Sequence, residues 1–297
     1  MNQTRTASIA STMEEFSTDW NKSPIRWHGA ALGTEASVTI SAPKLVAEAA
    51  LNDVVTLLDR VERLFNLYDP DSVLRQLNRH SALDLPAPEF LDLCQLTTRV
   101  HVATHGSFDP TIQPLWRSLA TGEDATEARN KIGWRHVEIR QNRIVMVKGQ
   151  QLSFNGVAQG FATDLVTKAL RQLGVKKALV NIGEYRAIGG PFQLGLTTPG
   201  LGLLRTVTLQ DAAISLSHAS AQQVGGSSHI LDPKANSTPQ WSTVAVHAKS
   251  AAIADACSTA FALMSQADIA ACLPKLSEIT HVTLVDLEGK VIELPSE

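Results

Sequence analysis

The sequence predicts an α+β fold, two interlocked subdomains with mixed or antiparallel sheets, and three observations carry that expectation. Strand-like and helix-like segments follow one another without a regular βαβ rhythm. The glycine turn around 156–160 has neither GxGxxG spacing nor a GK[ST] ending, which sets aside the doubly wound and phosphate-loop folds. The 297 residues are 44% apolar and 19% charged, a balance that supports a substantial core.

Residues 1–24 are polar and rich in Ser, Thr and Asn, which predicts a flexible arm ahead of one domain over 25–297. A strand is expected at 35–41, where Ala36, Val38 and Ile40 alternate. The strongest helix is 45–65, with Ala47, Leu51, Val54, Val55, Leu58, Val61 and Phe65 at helical spacing. Pro70 disfavours helix at Asp69, and Ser72 can cap the next short helix. Further helices are expected at 88–104 and 124–131, and a hairpin over 137–154 turning at Gln141-Asn142. Residues 152–164, LSFNGVAQGFATD, read as a strand end, a two-glycine turn and the first turn of a helix. Phe161, Leu165, Val166, Ala169, Leu170 and Leu173 share a face of that helix, and Gly174 stops it. Bare N–H groups and a helix N-terminus at this turn suit an anionic, phosphate-bearing ligand. The remainder reads as a strand at 178–182, short strands through 216, a strand at 244–248, a helix at 251–265, and strands at 282–285 and near 291.

Composition narrows the function classes. A net charge of −3 without a basic run lacks the electrostatic footprint of a nucleic-acid binder. No apolar stretch reaches the roughly 18 residues of a membrane span. The N-terminal residues hold no continuous apolar core of signal-peptide length, so the expected compartment is the cytoplasm, or the periplasm if an export signal has been removed. Cys94, Cys257 and Cys272 fall in helix-like segments without CxxC spacing, which points to apolar packing rather than zinc or disulfides.

Several residues can carry chemistry. Asp255 and Thr259 lie four apart on a helix that is otherwise almost wholly apolar, so a carboxylate and a hydroxyl face the same way. They suit a hard cation such as Mg²⁺; alternatively Thr259 bonds back to the carbonyl at 255 and Asp255 is solvated. His229, followed by Asp232 in HILDP, can serve as base or ligand, or be structural. Tyr68 stands in a turn, where an aromatic can stack on a planar ligand or fill a gap between helices. Asp109 in GSFDPT can cap a helix starting near Thr111.

Taken in order, these blocks resemble the ApbE family, the FAD:protein FMN transferases. The matching blocks are ALGTEASV at 31–38, YDPDSVLRQLN at 68–78, GSFDPTIQPL at 106–115, FNGVAQGFATD at 154–164 with ALVNIGE at 178–184, and HILDP at 229–233 with ADACSTAFAL at 254–263. The resemblance implies an ApbE-like fold. It also implies Mg²⁺-dependent transfer of FMN from FAD to a threonine hydroxyl of an acceptor flavoprotein, with release of AMP. It further implies flavin or adenine contacts from Leu32, Tyr68, Ser107, Phe108, Asp109 and Leu231. Mg²⁺ ligands would be the Gly156 carbonyl and the side chains of Asp255 and Thr259, and His229 would assist deprotonation of the acceptor.

The chain departs from the family pattern at identifiable positions. Ser153 and Gln159 stand where Asp and Lys are usual among the cofactor contacts, Glu184 replaces a glycine, His218 follows Ser217 where Ser-Gly is common, and HILDPKANS lacks the trailing Thr-Gly. Losing ionic contacts at 153 and 159 weakens or alters FAD binding. Two alternatives follow: a non-catalytic FAD-binding or flavin-delivery protein, and an FAD pyrophosphatase giving FMN and AMP. The FNGVAQGFATD and NIGE wording is most similar to the branch associated with nitrous-oxide-reductase maturation.

Overall fold

An eight-stranded sheet organises the molecule. In the computed structural model, which describes residues 14–16, 24–198, 202–235 and 237–295, its order from edge to edge is Val291–Pro295, Ile279–Val285, Thr243–Ala248, Ala213–His218, Tyr185–Ile188, Ala178–Ile182, Thr34–Ile40 and Ile25–Ala31. Every strand pair among the described residues is antiparallel, in this sheet and in the smaller ones. The expected arm at 1–24 lies outside the described residues except for Pro24 and the strand Glu14–Phe16, which pairs with Phe192–Thr198.

Both faces of the central strands are covered. Helices Lys44–Phe65, Ala158–Gln172 and Ala251–Phe261 belong to one core, where Val180, Val244 and Val246 are buried. The hairpin Phe192–Thr198/Gly202–Leu209 closes a second core with Leu179, Ile214, Leu216 and Ala245. Side chains on alternate faces of a strand are therefore both apolar, and the central strands read as continuous hydrophobic runs.

Most expected elements are present, with informative shifts. The strand Thr34–Ile40 buries Ala36, Val38 and Ile40 as its alternation requires. Ser72 accepts the Arg75 N–H and caps Val73–His80. Asp109 caps a short 3-10 turn, Pro110–Ile112, that runs into the helix Gln113–Thr121. The last site helix stops at Phe261 rather than 265, because Ser265 caps the following helix Gln266–Cys272. The hairpin is confined to Glu138–Arg140 and Arg143–Val145. Beyond it, the Asn78 side chain takes up both backbone groups of Leu152, at 2.7 and 2.8 Å, so that segment pairs with a side chain instead of a strand.

Helix Ala158–Gln172 is buried on more than its predicted face. Phe161, Val166 and Leu170 are buried, but so are Gly160, Thr163 and Thr167, while Leu173 is 41% exposed. The helix is wedged between the sheet and helix Ala251–Phe261, with Gly160 against Ala251 and Thr163 donating to the Glu184 carbonyl.

Candidate active site

Two helices cross where the sequence placed its glycine turn. A Cβ at Gly160 would lie 2.3 Å from the Ala251 carbonyl oxygen, so only glycine permits the approach. At the crossing, each helix N-terminus receives an aspartate from the other helix. Asp255 Oδ2 accepts the Gly160 N–H at 2.9 Å. Asp164 accepts the N–H groups of Ala251 and Ala252 at 2.8 and 3.1 Å and the Ser250 hydroxyl at 2.6 Å, and pairs with Arg186. Both carboxylates sit where the helix dipoles favour negative charge.

This arrangement corrects one expectation. Most N–H groups around the turn are not bare: Val157 and Ala158 donate to the Phe154 carbonyl, Gly160 to Asp255, and Asn155 to Ser153 Oγ. The helix N-terminus already faces a carboxylate, so an anionic ligand here needs another source of positive charge.

Asp255 and Thr259 do converge on the turn. Asp255 is 5% exposed, and burial, opposed by the Gly160 N–H, pushes its pKa up to about 7. A Cβ at Gly156 would stand 3.0 Å from Thr259 Oγ1, which places the hydroxyl directly on the turn. It is Ser258, not Thr259, whose hydroxyl donates back to the Asp255 carbonyl, at 3.0 Å. A buried, hard-to-ionise carboxylate, a hydroxyl and the Gly156 peptide form an oxygen donor set that fits a hard divalent cation. Glu184, also 5% exposed, joins them in the cleft, and its Oε2 has no hydrogen-bond partner.

The cleft has a volume of about 760 Å³, within the range of small-molecule sites. It is lined by Leu32, Tyr68, Ser107, Phe108, Asp109, Ser153, Gly156, Gln159, His229, Leu231, Asp255 and Thr259, so every candidate residue from the sequence reaches one cavity. Their roles differ. Tyr68 projects from its turn, 69% exposed, with its N–H held by Asn66 Oδ1. Leu32 and Gly33, at φ 51° and 78°, form the two-residue turn between Ile25–Ala31 and Thr34–Ile40. A leucine in that region is strained, and Glu62 holds it by accepting its N–H. Asp109 faces inward: its carboxylate accepts Thr111 N–H and Oγ1 and the Trp134 N–H, while Thr104 takes the N–H groups of Ser107 and Phe108 and His101 Nδ1 meets the Phe108 carbonyl. Gln159 lies across Gly183 and donates to the Leu32 carbonyl at 3.4 Å.

His229 Nδ1 lies 3.1 Å from the Gln222 carbonyl, which can only accept. The proton therefore sits on Nδ1 and the Nε2 lone pair is free. Burial lowers the His229 pKa against a smaller upward pull from Gln222, so the neutral, basic form prevails at pH 7. Asp232 does not orient it; that carboxylate accepts the Lys234 N–H and the Ser237 hydroxyl and shapes the loop, with Asn236 outside the described residues.

Sequence reasoning missed the polar clamps that hold these segments: Asp164, Asn78, and Glu62, whose second oxygen takes the Asn66 amide at 2.6 Å. It also missed Arg75, which among the described residues is the single arginine or lysine lining the cleft. His218 lines the cleft as well, its pKa pushed down to about 4 by burial and its Nε2 without a partner.

Comparison with known proteins places this geometry in context. The family described as the ApbE family matches residues 32–283. An FAD:protein FMN transferase of Klebsiella pneumoniae (strain 342) is 24% identical over 239 residues, 69% of this chain and 68% of that protein. The fold is similar to apo flavinyl transferase ApbE of Pseudomonas stutzeri, with TM-score 0.78, 24% identity, and 92% and 94% of the two chains covered. It is also similar to the ApbE protein of Thermotoga maritima, with TM-score 0.81, 22% identity, and 93% and 97% covered.

Proposed function

The chain belongs to the ApbE family, and on that premise we propose that it is an FAD:protein FMN transferase, moving FMN from FAD to a threonine hydroxyl of an acceptor flavoprotein in a Mg²⁺-dependent reaction that releases AMP. The observation that carries this reading is the meeting of Asp255, Thr259, the 156 turn and His229 in one cleft. Relatives bearing that name support the reaction class.

Asp255, Thr259 and the Gly156 carbonyl would hold Mg²⁺, whose charge when bound neutralises the phosphoryl oxygens of the diphosphate. Tyr68 offers an aromatic face to the ring systems of FAD, and the 107–109 segment forms part of the same wall. The acceptor hydroxyl attacks the FMN phosphorus, so a threonine O–P bond forms and the anhydride P–O bond breaks. AMP departs with the bonding pair, and the hydroxyl proton passes to His229 Nε2. The lowered pKa of His229 keeps that nitrogen available as base. Arg75 supplies fixed positive charge to a cleft that has lost the usual lysine at 159.

The test is intact-mass analysis of a flavoprotein substrate of a known family member after incubation with this protein, FAD and Mg²⁺. The account expects an FMN adduct, its loss with Asp255→Ala, and a rate lower by about 10²–10⁴-fold with His229→Ala. Absence of the adduct with the wild-type protein would count against the assignment.

A further inference from the structure

We infer that Glu184 is a second carboxylate of the cation site, its free Oε2 joining Asp255 and Thr259, so that this chain takes up a divalent cation before any nucleotide binds. The inference deepens the transferase reading and rests on it.

The backbone fixes the residue firmly. Strands Ala178–Ile182 and Tyr185–Ile188 are joined through Gly183, at φ 84°, and Glu184. Thr163 of the neighbouring helix donates to the Glu184 carbonyl at 3.2 Å, and Gln159 packs over Gly183. The side chain is thereby held in the cleft wall that Asp255 and Thr259 also line. A carboxylate oxygen so buried and unpaired is costly unless something meets it. Ser215 and the Leu216 backbone hydrogen-bond the Glu184 carboxylate, which leaves Oε2 without a partner near Asp255. Two buried carboxylates near one another are relieved by a proton or a cation between them. Among the described residues the cavity wall offers no lysine, and its single arginine, Arg75, belongs to the helix after the Tyr68 turn rather than to the crossing.

A hard cation with one or two carboxylate ligands meets this need. With one carboxylate, such a site depends on phosphate oxygens to complete its negative charge; with two, the protein balances a divalent ion alone.

The probe is Mn²⁺, titrated into nucleotide-free protein and followed by the loss of the free-ion EPR signal. Wild-type protein is expected to bind one Mn²⁺, and Glu184→Gln to bind about tenfold or more weakly. Circular dichroism melts establish that the variant is folded. If Glu184→Gln binds Mn²⁺ as wild type does while Asp255→Asn loses it, the inference is overturned and the transferase reading stands. If wild-type protein binds no Mn²⁺ with or without FAD, both are overturned.

Discussion

Asp255 concentrates the conflict between stability and function in one side chain. Burial pushes its folded-state pKa up to about 7, whereas in the unfolded chain it ionises in the ordinary carboxylate range, near 3.8. Between those values the folded chain retains a proton that the unfolded chain has released. The stabilising contribution is therefore complete below the unfolded pKa and is lost as pH rises toward about 7. Asp255→Asn keeps an acceptor for the Gly160 N–H but never ionises. Its melting temperature in EDTA should match wild type at about pH 4 and exceed it at about pH 8, with the gap opening across that interval. A variant less stable than wild type at the higher pH would show that the carboxylate is not penalised by burial. The same substitution should abolish transfer, since an amide cannot neutralise a cation.

At the scale of elements, the crossing of helices Ala158–Gln172 and Ala251–Phe261 positions the site. Gly160→Ala forces a methyl group onto the Ala251 carbonyl and should cost about 1–3 kcal/mol or more in urea unfolding. Asp164→Ala removes the acceptor for two N–H groups and a hydroxyl and leaves Arg186 half-buried without its carboxylate, so a loss of about 2–4 kcal/mol is expected. Either variant with unchanged stability would contradict the packing described. These clamps explain what was legible in the chain. Asp255, Thr259 and the glycine turn stood out because helical spacing and local backbone freedom are readable over a few residues. Asp164 and Asn78 did not, because their partners lie far along the chain, at Ala251 and Leu152, and only the folded sheet brings them together. The bare helix N-terminus expected from the turn was missed in part for the same reason: the carboxylate that takes the Gly160 N–H comes from helix Ala251–Phe261, 95 residues along the chain, not from the local sequence.

For the whole molecule, the α+β class and most strands followed from composition and periodicity, while the two-sided burial of the sheet did not. Leu179 and Val180 are adjacent and both buried because a hairpin covers one face and helices the other, and a single sequence does not distinguish that from a short buried helix. The sheet and its three helices hold the cleft open as one cavity in which Glu184, Asp255 and His229 face the same ligand space. No helix among the described residues is long and apolar enough to cross a membrane. The central claim is that this cavity directs the FMN phosphorus to a protein hydroxyl instead of water. It is tested most directly by measuring AMP by chromatography after incubation with FAD and Mg²⁺, with and without acceptor flavoprotein. AMP formation should depend on the acceptor and equal the covalently bound FMN; AMP released at the same rate without acceptor, or none released with it, would rule out transfer to a protein hydroxyl.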